Sequence, residues 1–240
     1  MKELHLFHLP ALAEGDTRLP DDEAAHAVRV LRMKVGDTLY ATDGQGAFYE
    51  TRLVAASAKA CRVEVVEKTI QPTLWKSGIR IAVAPTKNMD RMEWLTEKGT
   101  EIGCDAFHFL NCANSERRVL KTDRIERIVV AAVKQSHKAR KPEVNEMEAF
   151  ERFIARPFAG QKFIAHCYEP TDGAKPLLRD VISDTDDTLV LIGPEGDFTL
   201  AEVAAAEAAG FSSVSLGRSR LRTETAALAA IHMMYLTKSL

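Results

Sequence analysis

The sequence predicts an α/β protein in which a small β-barrel precedes a mostly parallel sheet. Three observations carry that prediction. Before residue 72 the strand-like runs are short and broken by turn residues, as in a small barrel. From Ile79 onward, apolar strand-like runs alternate with helical stripes, the pattern of a parallel sheet covered on both faces. Near the C-terminus two such strands each end in glycine, at Gly193 and Gly217, and run into a helix.

The elements follow in order. Asp21 to Leu31 is a short helix, with Ala24, Ala27, Val28 and Leu31 on one side. Thr38–Thr42, Ala47–Val54 and Ala60–Val66 are strands, and Asp43-Gly44-Gln45-Gly46 turns the first into the second. Glu67 to Gly78, with Pro72, reads as the linker, which divides the chain into domains 1–71 and 72–240. Ile79–Ala84 and Asp105–Leu110 are strands around a helix, Asn88–Ile102, with Met92, Leu95, Gly99 and Ile102 at spacings of three and four. Thr122–Lys138 carries a helical stripe of Ile125, Ile128, Val129, Ala132 and Val133. Phe163–Tyr168, Leu189–Ile192 and Ser213–Leu216 are strands. Thr199 and Glu202 form a capping box that starts a helix ending at Gly210, and the last helix begins at Thr223.

Composition bounds the function. Of 240 residues, 46% are hydrophobic and 28% charged, as in a globular domain with a sizeable core. No apolar run is long enough to span a membrane, and Met1-Lys2-Glu3-Leu4-His5 lacks the apolar core of a signal peptide, so a cytoplasmic protein is expected. Cys61, Cys104, Cys112 and Cys167 form no C-x-x-C pair, so reduced thiols and no metal are expected. No Lys-Ser/Thr follows the glycines, which excludes a P-loop. The net charge is −2, yet Asn114–Pro142 holds nine basic against three acidic residues. A local basic surface on a mildly acidic chain fits a polyanionic partner.

In an open α/β sheet, ligands bind beyond the carboxyl ends of the strands. The two glycine loops, Leu191-Ile192-Gly193-Pro194-Glu195-Gly196-Asp197 and Leu216-Gly217-Arg218-Ser219-Arg220-Leu221-Arg222-Thr223-Glu224, therefore make the candidate pocket. Arg222 and Glu224 stand at its edge. The same edge logic adds His166, at the end of the Phe163 strand.

Read together, Gly193-Pro194-Glu195-Gly196 and Leu216-Gly217-x3-Leu221-Arg222-Thr223-Glu224-Thr225-Ala226 closely resemble the 16S ribosomal RNA uridine N3-methyltransferases of the SPOUT superfamily. Three further stretches agree: His26-x3-Val30-Leu31-Arg32-x3-Gly36-Asp37, Lys98-Gly99-Thr100-Glu101-Ile102-Gly103, and Gln135-Ser136-His137-Lys138 before Pro142. The resemblance implies an N-terminal PUA-like RNA-binding barrel and a C-terminal trefoil knot, a rarity among folds. It implies a homodimer that binds S-adenosylmethionine and methylates N3 of one uridine (position 1498 in the family's numbering) in 16S rRNA of the small ribosomal subunit. Cofactor contacts then fall to His166, Ile192, Gly193, Pro194, Glu195, Gly196, Leu216, Gly217, Ser219 and Leu221. Arg222 and Glu224 become the catalytic pair. Arg222 is expected either to stabilise charge developing on the base or to hold a phosphate, and Glu224 either to orient Arg222 or to take up a proton. Arg29, Arg32, Lys34, Arg117, Arg118, Lys138 and Arg140 are expected to meet RNA phosphates. Asp197 departs from the pattern, where a second glycine is usual, as do Ser219 and Arg220, which replace Arg-Ile, and Lys138, which replaces Arg. Two rival readings stay open: another SPOUT methyltransferase acting on a ribose 2′-hydroxyl or a different base, and a non-catalytic RNA-binding assembly factor.

Overall fold

A computed structural model describes residues 5–57, 60–168 and 174–239, so Met1–Leu4 of the polar N-terminal stretch lie outside it. The chain divides into two compact units, Met1–Thr73 with Val130–Lys141, and Leu74–Val129 with Pro142–Leu240.

In the first unit, strand β3 (Ala47–Ala55) buries Ala47, Tyr49, Thr51 and Leu53 and turns the residues between them outward. That period of two places one face on a core. It pairs antiparallel with β2 (Thr38–Thr42) and β4 (Arg62–Ile70), and β2 pairs parallel with β1 (Leu6–His8). The order is β1-β2-β3-β4. Phe7, Leu9, Leu19, Leu39, Leu53 and Val63 fill the core. Helix α1 (Asp21–Ala25) passes into a π-helical turn at His26–Val30. Two corrections apply here. β4 runs on to Ile70 into the stretch read as linker, because pairing with β3 continues as far as Ala47↔Ile70 although almost no side chain of β4 is buried. β1 is too short for periodicity to mark it.

In the second unit, β5 (Ile79–Val83), β6 (Ala106–Asn111), β7 (Glu143–Ala149), β8 (Gln161–Ala165), β9 (Thr188–Ile192) and β10 (Ser212–Val214) form one sheet in the order β10-β8-β9-β5-β6-β7. Every pairing is parallel. The central β9 is buried at all five positions, as a doubly covered parallel strand should be. β7 was not expected. Its acidic sequence has no apolar face, and it lies at the sheet's edge with no residue fully buried.

Two helices start at side-chain caps, one of them the capping box expected from sequence. Asn88 caps α2 (Met89–Ile102) by accepting from the Asp90 N–H at 3.0 Å. Thr199 and Glu202 form the reciprocal capping box of α6 (Leu200–Ala208), and Glu202 also accepts from the Ala113 N–H at 2.8 Å. In α3 (Asp123–Gln135) the stripe Ile125, Val129, Ala132 and Val133 is buried. Short helices α4 (Phe150–Ile154) and α5 (Leu178–Val181) precede α7 (Thr223–Lys238). Ile231 and Met234 of α7 are fully buried in the core of the single chain. Lys238 closes α7 inside the protein, donating to Ser77 Oγ and the Asp186 carbonyl at 2.5 Å each. Burial pushes its ammonium pKa down while Asp187, Asp186 and Asp184 oppose that shift.

Candidate active site

A parallel sheet puts all its carboxyl ends on one edge, and the predicted loops leave from that edge. β9 ends at Ile192, and Gly193 and Pro194 are buried behind it. A side chain at Gly193 would press to 3.0 Å on the Phe198 N–H nitrogen and 3.1 Å on its ring. Glycine there serves the packing of buried Phe198. Asp197, in the place of a usual glycine, takes the left-handed conformation at φ 63°. Its carboxylate repays the strain locally, accepting from the Phe198 N–H and the Cys167 N–H at 2.8 Å each.

The second loop is built differently. Gly217 has φ 124°, and a Cβ on it would meet nothing within 4 Å. Its N–H donates to Ser215 Oγ at 3.1 Å. Leu216 and Leu221 flank it, both half-buried, while Ser219 and Arg220 are exposed. The turn is an open, glycine-floored cradle with two half-buried leucines beside it in sequence, and it allows close approach to the backbone.

His166 follows β8 at the same edge. Its Nε2 lies 2.9 Å from Ser213 Oγ, which itself donates to Glu207 Oε1 at 2.6 Å. The hydroxyl proton is thereby committed, so Nε2 carries the imidazole proton and Nδ1 faces Lys175 Nζ at 3.4 Å. Burial, with help from the Lys175 charge, lowers the His166 pKa, while Asp197 and Glu207 oppose that shift.

Thr223 Oγ1 donates to the Gly193 carbonyl at 3.2 Å, which joins the start of α7 to the first loop. Arg222 is the N-cap residue of α7, exposed and making no side-chain capping bond. A helix N-terminus disfavours a cation, so this position offers the arginine no structural reward. Glu224 sits in the first turn and is 7% exposed. Its Oε1 faces Arg91 Nε at 3.8 Å, and its Oε2 is closed to solvent with no hydrogen-bond partner. Arg91 also reaches Glu195 Oε1 at 3.5 Å, while Glu195 Oε2 accepts from the Lys87 N–H at 3.2 Å. The two motif carboxylates thus converge on one arginine that sequence reasoning missed. Its partners lie more than a hundred residues away, and local spacing carries no trace of them.

The expected RNA-contacting cations divide by environment. Arg29, Arg32 and Lys34 are exposed on the first unit, and Arg32 holds a left-handed φ of 55°. Arg140 donates to the Gln45 carbonyl at 3.1 Å, and Lys138 lies half-buried in the turn after α3. In the second unit, Arg117 donates to the Thr86 and Lys87 carbonyls at 3.1 and 2.6 Å, and Arg118 to the Ala113 carbonyl at 3.2 Å. Glu101, at the end of α2, receives Lys98 Nζ at 2.9 Å, a structural pairing. Among the described residues no group of acidic, Cys or His side chains could hold a metal, all four cysteines are free, and no helix could cross a membrane.

Comparison with known proteins gives the family. The model of an RNA methyltransferase domain matches residues 74–235, and that of an RNA methyltransferase PUA domain matches 19–66. Ribosomal RNA small subunit methyltransferase E of Bacillus subtilis is 28% identical over 221 residues, 88% of this chain and 86% of that protein. A crystal structure of a probable rRNA-methyltransferase from Porphyromonas gingivalis is 44% identical, with a TM-score of 0.90 and 98% of each chain covered. The ribosomal RNA small subunit methyltransferase E from Neisseria gonorrhoeae, solved with S-adenosyl methionine bound, is 28% identical with a TM-score of 0.83 over 98% of each chain.

Proposed function

Because this chain belongs to the RNA methyltransferase family, with that family's PUA domain on its N-terminal side, we propose that it methylates N3 of one uridine, uridine 1498 of 16S rRNA, using S-adenosylmethionine. The observation that carries the cofactor assignment is the Gly217 cradle. Its floor lacks a side chain, its backbone is one that glycine adopts readily, and half-buried Leu216 and Leu221 flank it in sequence. Ile192, Gly193, Pro194, Glu195 and Gly196 from the β9 loop, with His166 and Ser219, complete the proposed cofactor contacts. When bound, S-adenosylmethionine supplies a methyl group already activated by a sulfonium. The protein's part is then to align the base and favour its anion, since N3 of uridine is protonated at rest. Arg222 does this by facing the developing charge with a guanidinium that no described side chain pairs. Glu224, with both oxygens turned inward, holds the start of α7 and so the direction of Arg222.

The remaining parts of the reading are that residues 1–71 form the RNA-binding domain and 72–240 the transferase domain, and that the latter carries a trefoil knot. The protein acts as a cytoplasmic homodimer on the small ribosomal subunit. Arg29, Arg32, Lys34, Arg117, Arg118, Lys138 and Arg140 meet phosphates. Two measurements test it. Nucleoside digests of 16S rRNA from cells with and without the gene should differ by one N3-methyluridine. A 2′-O-methylated nucleoside instead would reassign the reaction. Gly217→Ala should lower cofactor affinity by tenfold or more in calorimetry, with a stability loss of about 1–3 kcal/mol from the left-handed backbone. Unchanged affinity would reject the cradle.

A further inference from the structure

Arg91 has no part in the motifs that mark the site, yet both motif carboxylates turn to it. It stands in the first turn of α2, with the Asn88 cap behind it. On one side is Glu195, in the loop after β9, at 3.5 Å. On the other is Glu224, two residues past Arg222, at 3.8 Å. Arg91 is one-third exposed, whereas the Glu224 side chain is 9% exposed. Glu224 therefore leans on Arg91 as its only ion-pair partner among the described residues. Removing a partner from a nearly buried carboxylate is far more costly than losing an exposed pair.

We propose that Arg91 is a positioning residue of the methyl-transfer reaction, tying the cofactor-side loop at Glu195 to the helix start at Glu224 and so aiming Arg222. The inference rests on the reading of Arg222 as the group that stabilises the uridine anion. The geometry has a specific logic. Glu224 is too enclosed to serve the substrate directly, because Oε2 is closed to solvent and Oε1 faces Arg91. Its charge is useful only through what it fixes. The planar guanidinium presents Nε to one carboxylate and Nη1 to the other, so a single side chain sets the distance between two loops that arrive from different strands. An ammonium in its place is a point charge and holds one carboxylate at a time.

The test combines Arg91→Met, Arg91→Lys, Glu195→Gln and Arg222→Ala in the full-length protein, each checked for an intact fold by thermal melting. Cofactor affinity is read by calorimetry with S-adenosylmethionine alone. Arg91→Met and Glu195→Gln should each weaken it several-fold, and the double variant should be no weaker than the worse single one, since both cut the same tie. Additive losses overturn the tie. Turnover on small-subunit rRNA should fall about tenfold or more in Arg91→Met while KM for RNA stays within twofold, and Arg91→Lys should recover only part of the loss. A fall in melting temperature with normal turnover would make Arg91 merely structural. The deciding cycle places Arg91→Met in Arg222→Ala, where it should slow the reaction no further. A full additional loss in that background overturns the inference. An Arg222→Ala variant working at the wild-type rate overturns the reading beneath it instead, so the two failures are distinct.

Discussion

Arg222 occupies a position where the backbone repels its charge, and no described side chain neutralises it. The role proposed for it is to meet a charge that appears during the reaction. Arg222→Ala should therefore lower single-turnover methylation about a hundredfold or more, the scale of a lost transition-state contact, with cofactor affinity nearly unchanged. Wild-type turnover in that variant would remove Arg222 from the chemistry. At this scale the sequence named the residues of both loops but not what holds them in place. Gly193 was read as a cofactor glycine, yet its missing side chain makes room for Phe198. Asp197 was read as a departure that glycine would tolerate better, and its carboxylate supports the same left-handed backbone through two hydrogen bonds. Arg91 was invisible because ion pairs across a sheet edge leave no periodic signal.

Elements with an apolar face were legible, and elements without one were not. The stripe of α3 and the continuous apolar run of β9 announced themselves, whereas β7 was hidden by its acidic sequence at the sheet's edge. The capping box of α6 was read from Thr199 and Glu202 alone. Its extra bond to Ala113 was not, because that partner comes from the loop after β6. Thr199→Ala should cost about 1 kcal/mol in urea unfolding, the usual loss of a cap. Equal stability would mean that Glu202 holds the helix start unaided. A second element-scale prediction concerns β6. His108 is half-buried against Phe153 at 5.2 Å, and burial, with the Arg80 and Arg156 charges, lowers its pKa from 6.5 to about 4. The unfolded chain then binds the proton first as pH falls. Stability should be fully present above pH 6.5 and drop as pH falls toward 4, by at most about 3 kcal/mol from this residue. Urea titrations of His108→Gln should show a shallower drop across that window, and an identical slope would refute the assignment.

At the scale of the molecule, the charge distribution matters more than the net charge of −2. If Arg29, Arg32 and Lys34 meet phosphates, RNA affinity should fall steeply with salt, and charge reversal at Arg29 and Arg32 should flatten that slope by roughly one per lost contact. Cofactor affinity should not change. Equal RNA affinity, measured by filter binding at two salt concentrations, would exclude this face. Fold class was readable from the alternation of strands and helices. The strand order was not, since it depends on which strands meet across the sheet.

That strand order has a consequence for biosynthesis. The parts of the site come from residues 86–91, 166, 193–198 and 216–224, gathered on one sheet edge by strands far apart in the chain. A nascent polypeptide emerges from its N-terminus at about 5–20 residues per second, and distant pairings form late. The cradle and its arginines therefore do not exist until nearly the whole chain has been made. A half-synthesised copy, still held on the ribosome that is making it, has neither glycine loop nor the start of α7.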